Sequence, residues 1–270
     1  MKKLIPALIV LVFISSNLYS QTEIITSKYT KPFFSIDADF GYALPLFDLS
    51  GSSIKEFYDL KSYSTSAGYT GNLKFGFTVA NFKWTQLRVK LTLGYSRFMG
   101  TDNVAYSFPK VTPGWPTTTY PLVQTSGEST INIHHPMTAV GMDYVVFTDS
   151  KRTSLFTFGG DLTLTGMFGK ITDQRSGYGE EYNNITSAVR FGFGINTVYT
   201  FRPASWMGIN TGIRFQMSNL LGKTSAAVTE DRDIPFNDGE DLSINPNLKS
   251  RNIGYFGFFG GVSFYMGGKK

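Results

Sequence analysis

From Phe33 onward, apolar and polar side chains alternate along the chain. Phe34, Ile36, Ala38, Phe40 and Tyr42 are separated by Ser35, Asp37, Asp39 and Gly41. Leu73, Phe75, Phe77 and Val79 enclose Lys74, Gly76 and Thr78, and Leu87, Val89, Leu91, Leu93 and Tyr95 enclose Arg88, Lys90, Thr92 and Gly94. The same period continues over about 130–147, 153–169, 186–202, 206–218 and 252–266. A period of two belongs to a β-strand with one apolar and one polar face. In the last window Tyr255, Phe259 and Tyr265 fall on the otherwise polar face.

Alternation also suits a water-soluble sandwich, but three features favour a membrane barrel. The apolar set is rich in Phe and long aliphatics over windows longer than the usual ~5–6 residue strand. The opposite set mixes Gly, Ser and Thr with charges of both signs, which suits a crowded polar interior. The gaps between windows run about 24, 4, 30, 5, 16, 3 and 33 residues, a long–short rhythm of external loops and tight periplasmic turns. The pattern predicts an all-β fold, an eight-stranded antiparallel up-and-down transmembrane β-barrel. Long loops are expected at about 46–69, 100–129, 170–185 and 219–251. Trp84, Tyr95, Phe98, Tyr199 and Trp206, near strand ends, are candidates for an aromatic girdle.

Ahead of this pattern, Lys2 and Lys3 precede the apolar run Leu4 to Ile14 and the polar Ser15-Ser16-Asn17, the order of a secretory signal. The expected organisation is a signal peptide over 1–20, a periplasmic segment over 21–32, the barrel over 33–266 and a tail over 267–270. Removing the signal lowers the formal charge from +5 to +3. The remaining cations are scattered, so nucleic acid is not an expected partner. The chain has no cysteine, which excludes disulfides and thiolate chemistry.

The final strand, Gly261-Val262-Ser263-Phe264-Tyr265-Met266, together with the eight-window pattern, resembles the small Gram-negative outer-membrane barrels of the OmpA/OmpX/OmpW-like group. The resemblance implies residence in the outer membrane, contact with its lipid and lipopolysaccharide, and insertion by the barrel-assembly machinery. Gly261, Phe264 and Met266 would form part of the assembly signal.

The inward face gathers Asp37, Asp39, Asp143 and Asp161 with Lys74, Arg88, Lys90, Arg190 and Arg214. An unpaired charge there carries a large desolvation cost, so a network of ion pairs is expected. The numerous lumen glycines leave room for the alternative, a narrow channel for small polar or amphipathic solutes. An accessory role in a secretion or assembly machine is a further alternative.

His134 and His135 are expected at a water-facing rim, without the serine arrangement of a hydrolase, and neighbours in a strand point to opposite faces, which disfavours a metal site. Neither an enzyme, a cofactor nor a metal is expected. The acidic stretch from Asp231 to Asp241 reads as a solvated loop. Gly192-Phe193-Gly194 lies within a strand and lacks the rest of a dinucleotide motif. Tyr106, Phe108, Trp115 and Tyr120 belong to a Pro- and aromatic-rich loop, able to cover the barrel mouth or meet an extracellular ligand or protein. The favoured function is a non-enzymatic surface protein serving envelope integrity or surface interaction.

Overall fold

A computed structural model describes residues 29–107, 123–175, 179–223, 233–234, 236, 238–239 and 250–267. The expected signal peptide and the residues 268–270 of the tail lie outside them. The strands are β1 (Phe34–Phe47), β2 (Ala67–Asn81), β3 (Thr85–Ser107), β4 (Val123–Phe147), β5 (Ser154–Arg175), β6 (Gly179–Ala204), β7 (Met207–Leu221), a two-residue β8 (Asp233–Ile234) and β9 (Ile253–Met266). A short helix, α1 (Ile54–Tyr58), follows β1. β1 to β7 and β9 pair antiparallel in chain order, and β9 closes on β1 in unbroken register from Phe34↔Met266 to Phe47↔Ile253. The result is a closed ring without an edge, as the alternating windows predict. β8 lies parallel to β6 beside Asn184 and Ile185.

Burial separates barrel from sandwich. Phe40 is 66% exposed, Leu162 71% and Val189 59%, while Lys74, Lys90, Arg190 and Arg214 on the opposite face are buried. Such a continuous greasy exterior far exceeds the apolar patches soluble monomers expose. Along β5 the outward apolar positions run from Phe156 to Phe168, about 30 Å of height for a strand tilted by about 40°. That height matches the hydrocarbon core of a bilayer.

Beyond this belt the pattern inverts. On β4 the outward residues change from Met142 and Val140 to His134 and Asn132, while the inward ones become Ile133 and Ile131, both fully buried. On β5, Lys170 and Thr172 face outward and Met167 and Ile171 are buried inside. A strand in lipid turns its grease outward; the same strand in water turns it inward. The inversion on β5 falls at a register shift between Met167 and Gly169.

The strands therefore continue well past the membrane. Within the stretches expected as loops, residues 100–107, 123–129, 170–175 and 179–185 are strand: β3 and β4 remain paired to Ser107↔Val123, and β5 and β6 to Arg175↔Gly179. These extensions form a wall around the mouth at the end with the long connections.

Candidate functional site

The lumen at membrane level is filled by charge. Asp39 lies between Lys74 Nζ at 2.9 Å and an Arg214 guanidinium nitrogen at 3.2 Å, and accepts a 2.7 Å hydrogen bond from Asn72. Lys90 donates to Asp143 at 2.6 Å and reaches Asp161 at 3.2 Å. Asp37 accepts from the hydroxyls of Ser263 and Ser35, and Arg88 donates to Gln86 at 2.9 Å. The unexpected aromatics on the inward face of β9 serve these cations. Phe259 lies under Lys74 and Arg214 at 5.0 and 4.8 Å, and Tyr265 under Arg88 and Arg202 at 5.9 and 4.8 Å. Cation–π contact gains strength where water is excluded.

Three lumen glycines make room for neighbouring side chains. Gly41 and Gly212 flank Phe259 on the two neighbouring strands, and a Cβ at either would collide with that residue. A Cβ at Gly159 would strike the Lys90–Asp143 pair. The space at Gly41, Gly212 and Gly159 is thus occupied by Phe259 and by the Lys90–Asp143 pair. A cavity of about 30 Å³ lined by Asp37, Lys74, Arg88, Asp143 and Asn196 remains, room for a water or two.

Both ends of this lumen are covered. At the end with the short turns the segment Tyr29–Phe33 crosses the mouth. Pro32 O accepts from Thr78 and Gln86 beside β1, while Tyr29 donates its hydroxyl to Pro203 O and its N–H to Lys151 O across the ring. Arg202, 1% exposed, holds this strap from inside with a bond to Thr30 O and its guanidinium 5.1 Å from the Tyr29 ring. Nothing in the alternation singled out Arg202 beyond its inward parity.

At the opposite end, where the long connections lie, loop 1 (residues 48–66, between β1 and β2) folds into the mouth. Ser53 caps α1, accepting from Lys55 N at 3.2 Å, and the Ser53 hydroxyl and Ile54 N both donate to Asp102 of β3. Ile54, Phe57 and Tyr63 are buried against the inward residues Phe98, Ile131, Ile133 and Tyr255. Tyr63 stacks on Phe236 with ring centres 4.9 Å apart. Asp238 pins this second segment, accepting from Arg190 Nε at 2.9 Å and Nη2 at 2.6 Å and from Asn219 at 2.7 Å. Burial raises the Tyr58 and Tyr63 hydroxyls above the ordinary tyrosine range, and the charge of Asp173 adds to the rise at Tyr58.

A closed ring, a belt of lipid-facing grease and a polar interior at the same height decide the assignment. The chain is a membrane-spanning β-barrel of eight long strands.

No family model and no curated protein sequence matches the barrel. It is similar in fold to solved outer-membrane structures at low identity. Neisserial surface protein A has a TM-score of 0.38 at 10% identity, over 86% of this chain and 97% of that one. The outer membrane protease OmpT from Escherichia coli has 0.40 at 8%, over 91% and 99%. Ail, the attachment invasion locus protein of Yersinia pestis, has 0.34 at 10%, over 85% and 98%.

Several expected positions change role in the barrel. Tyr95, Tyr199 and Trp206 face outward, with Trp206 stacked on Phe264. Trp84 and Phe98 do not join a girdle. Trp84 turns inward to Val145, Phe147 and Leu155 at the mouth with the short turns, and Phe98 lies in the apolar core at the other end. Both share the parity of the inward residues of β3, which overrides nearness to a strand end. Arg190 pairs with Asp238 instead of with a strand carboxylate, and Asp238, from the stretch expected to be solvated, is fully buried.

His134 faces outward, but His135 is not at a wet rim: it is 2% exposed and packs on Phe98. The Ser129 hydroxyl donates to Asp173, and His134 bonds to Tyr95, so no serine–histidine pair forms between them. Tyr106 is buried in β3, bonded to Asp102 and Ser53, and presents no surface ring. Phe108, Trp115 and Tyr120 lie outside the described residues. Gly261, Phe264 and Met266 lie in β9, the strand that closes on β1. No group of His, Asp and Glu among the described residues is arranged to hold a metal ion.

Proposed function

We propose that this protein is a non-enzymatic, non-conducting outer-membrane barrel that acts through its extracellular wall and loops, in envelope integrity or surface interaction. The observation carrying this reading is the continuity of the filling. A strap closes the periplasmic mouth, an ion-paired layer fills the middle, and an apolar plug from two loop segments fills the top. A channel would have to displace all three, and the middle layer alone holds buried ion pairs whose separation leaves uncompensated charge. The pairing of Ser129 with Asp173, away from either histidine, supports the non-enzymatic part.

Planar-bilayer recording of the folded, full-length barrel tests this. The expected result is the absence of conductance steps at protein levels where a porin control conducts. Reproducible steps from heat-modifiable, correctly folded protein would establish the channel reading instead.

A further inference from the structure

His135 takes no part in the ion pairs of the lumen or in the hydrogen bonds of the plug. Among the described residues neither of its ring nitrogens has a hydrogen-bond partner, although the side chain is buried. A neutral imidazole carries one donor and one acceptor, and burying both unmet is costly. The nearest hydroxyl is engaged elsewhere: Ser96, directly across in the β3–β4 register, bonds to Thr70 and Tyr255. The imidazole instead meets the Phe98 ring at an angle, with centres 5.0 Å apart. Phe98 is part of the apolar floor on which Ile54, Phe57 and Tyr63 of loop 1 rest.

The wall is also interrupted here. The β4–β5 pairing runs to His134↔Phe168 and resumes at Met137↔Thr165, and Pro136 between them has no N–H to give. On the other side of β5, the register with β6 shifts between Met167 and Gly169. The groups around His135 offer no counter-charge to an imidazolium. β3 presents Ser96 and Phe98, while its Arg97 points outward, as does His134 on β4 itself. β5 presents Thr165 and Met167, and β9 the phenol of Tyr255. The plug above brings Tyr58 and Tyr63, Arg251 over the Tyr63 ring, and Asp238 already paired with Arg190. Asp39 in the layer below is shared by Lys74 and Arg214, and Asp173 on the wall is held by Ser129 and Tyr58.

We propose that His135 is a proton-operated release for the plug: an imidazolium at this position expels loop 1 from the mouth in mildly acidic surroundings. The neutral ring is tolerated against the apolar floor. The protonated ring has two donors, a full charge and no acid beside it, and it reaches water only when Phe57 and Tyr63 withdraw. A histidine in water takes its proton near pH 6.5, so the open form gains by up to tenfold per pH unit below that value. Carboxylates of the same region do not act in this window. Glu56, chiefly through Ser62, and Asp102, against its partial burial through Ser53 and Tyr106, are held below the ordinary carboxylate range. Burial raises Asp173, so its protonation favours the folded form and works in the opposite sense.

The test follows amide exchange in the full-length barrel in detergent micelles, with folding verified by heat-shifted gel mobility. Exchange is measured from pH 7.5 to 5.0 and corrected for the intrinsic rate at each pH. The reporters are the amides of Asp59, Tyr63 and Thr65, bonded to the carbonyls of Lys55, Asp48 and Leu49. Their opening should increase by up to about thirtyfold between pH 6.5 and 5.0. It should stay flat in His135→Gln and His135→Leu, and it should persist in His134→Gln and Glu56→Gln. A flat native profile, a response surviving both His135 variants, or one lost in His134→Gln would each overturn the proposal. Should neither His135 variant fold, the native chain decides, because its two histidines give separable ring signals in NMR spectra. The His135 ring should take its proton only together with plug opening, and titration of that ring while the amides stay protected would overturn the proposal. Conductance is not read, so a failure here leaves the sealed-lumen reading standing, and the converse holds.

Discussion

At the scale of single residues, this protein places charge where charge is most costly and compensates it with counter-charges, amide, hydroxyl and carbonyl groups, and aromatic rings. The pair Arg190–Asp238 is the clearest instance, with both side chains nearly or fully buried and one of them delivered by a loop. Asp238→Ala removes a buried carboxylate bonded to two guanidinium nitrogens and should destabilise the barrel by about 3–5 kcal/mol, measured by urea unfolding in micelles. Arg190→Met/Asp238→Leu, which removes both charges, should recover much of that loss. The inward parity of Arg190 was legible in the alternation. Its partner was not, because Asp238 sits in a stretch rich in carboxylates where composition alone suggests solvent. Phe259 likewise looked like a break in the polar face until Gly41 and Gly212 were seen to make room for it beneath two cations.

At the scale of elements, the eight strands were readable from period two, yet their outer ends were not. Above the lipid the apolar positions pass from the outward to the inward face, as between Val140 and Ile133 on β4. Continuous outward grease ends there, and a strand traced by its greasy face ends with it. The plug was equally hidden, since α1 has only five residues and its apolar side chains matter through what lies beneath them.

Loop 1 also carries a pH dependence. The Ser62 hydroxyl, outweighing partial burial and assisted by Ser52, holds the Glu56 carboxyl below its ordinary value of 4.5. A carboxyl lowered in the folded state contributes stability that is full above the unfolded value and lost as pH falls through the folded one. Hydrogen exchange at the amides of α1 should therefore accelerate below about pH 4.5, modestly because Glu56 is largely solvated, and Glu56→Gln should remove that component. An unchanged acid response in Glu56→Gln would assign it to another group.

At the scale of the whole molecule, two solvents act on one cylinder. Lipid sets the outward face of the lower strands, water sets the outward face of the upper ones, and the interior passes from ion pairs to an apolar plug at the same boundary. The native chain has no cysteine, so single cysteines along β5 report this arrangement without background. Cysteines at the even positions from 156 to 168 should respond to a lipid-soluble quencher, and those at 170, 172 and 174 to a charged aqueous thiol reagent. Cysteines at the odd positions from 157 to 173 should respond to neither. Rapid aqueous labelling at odd positions, as fast as at 172 or 174, would mean an open water-filled lumen and would contradict the sealed barrel.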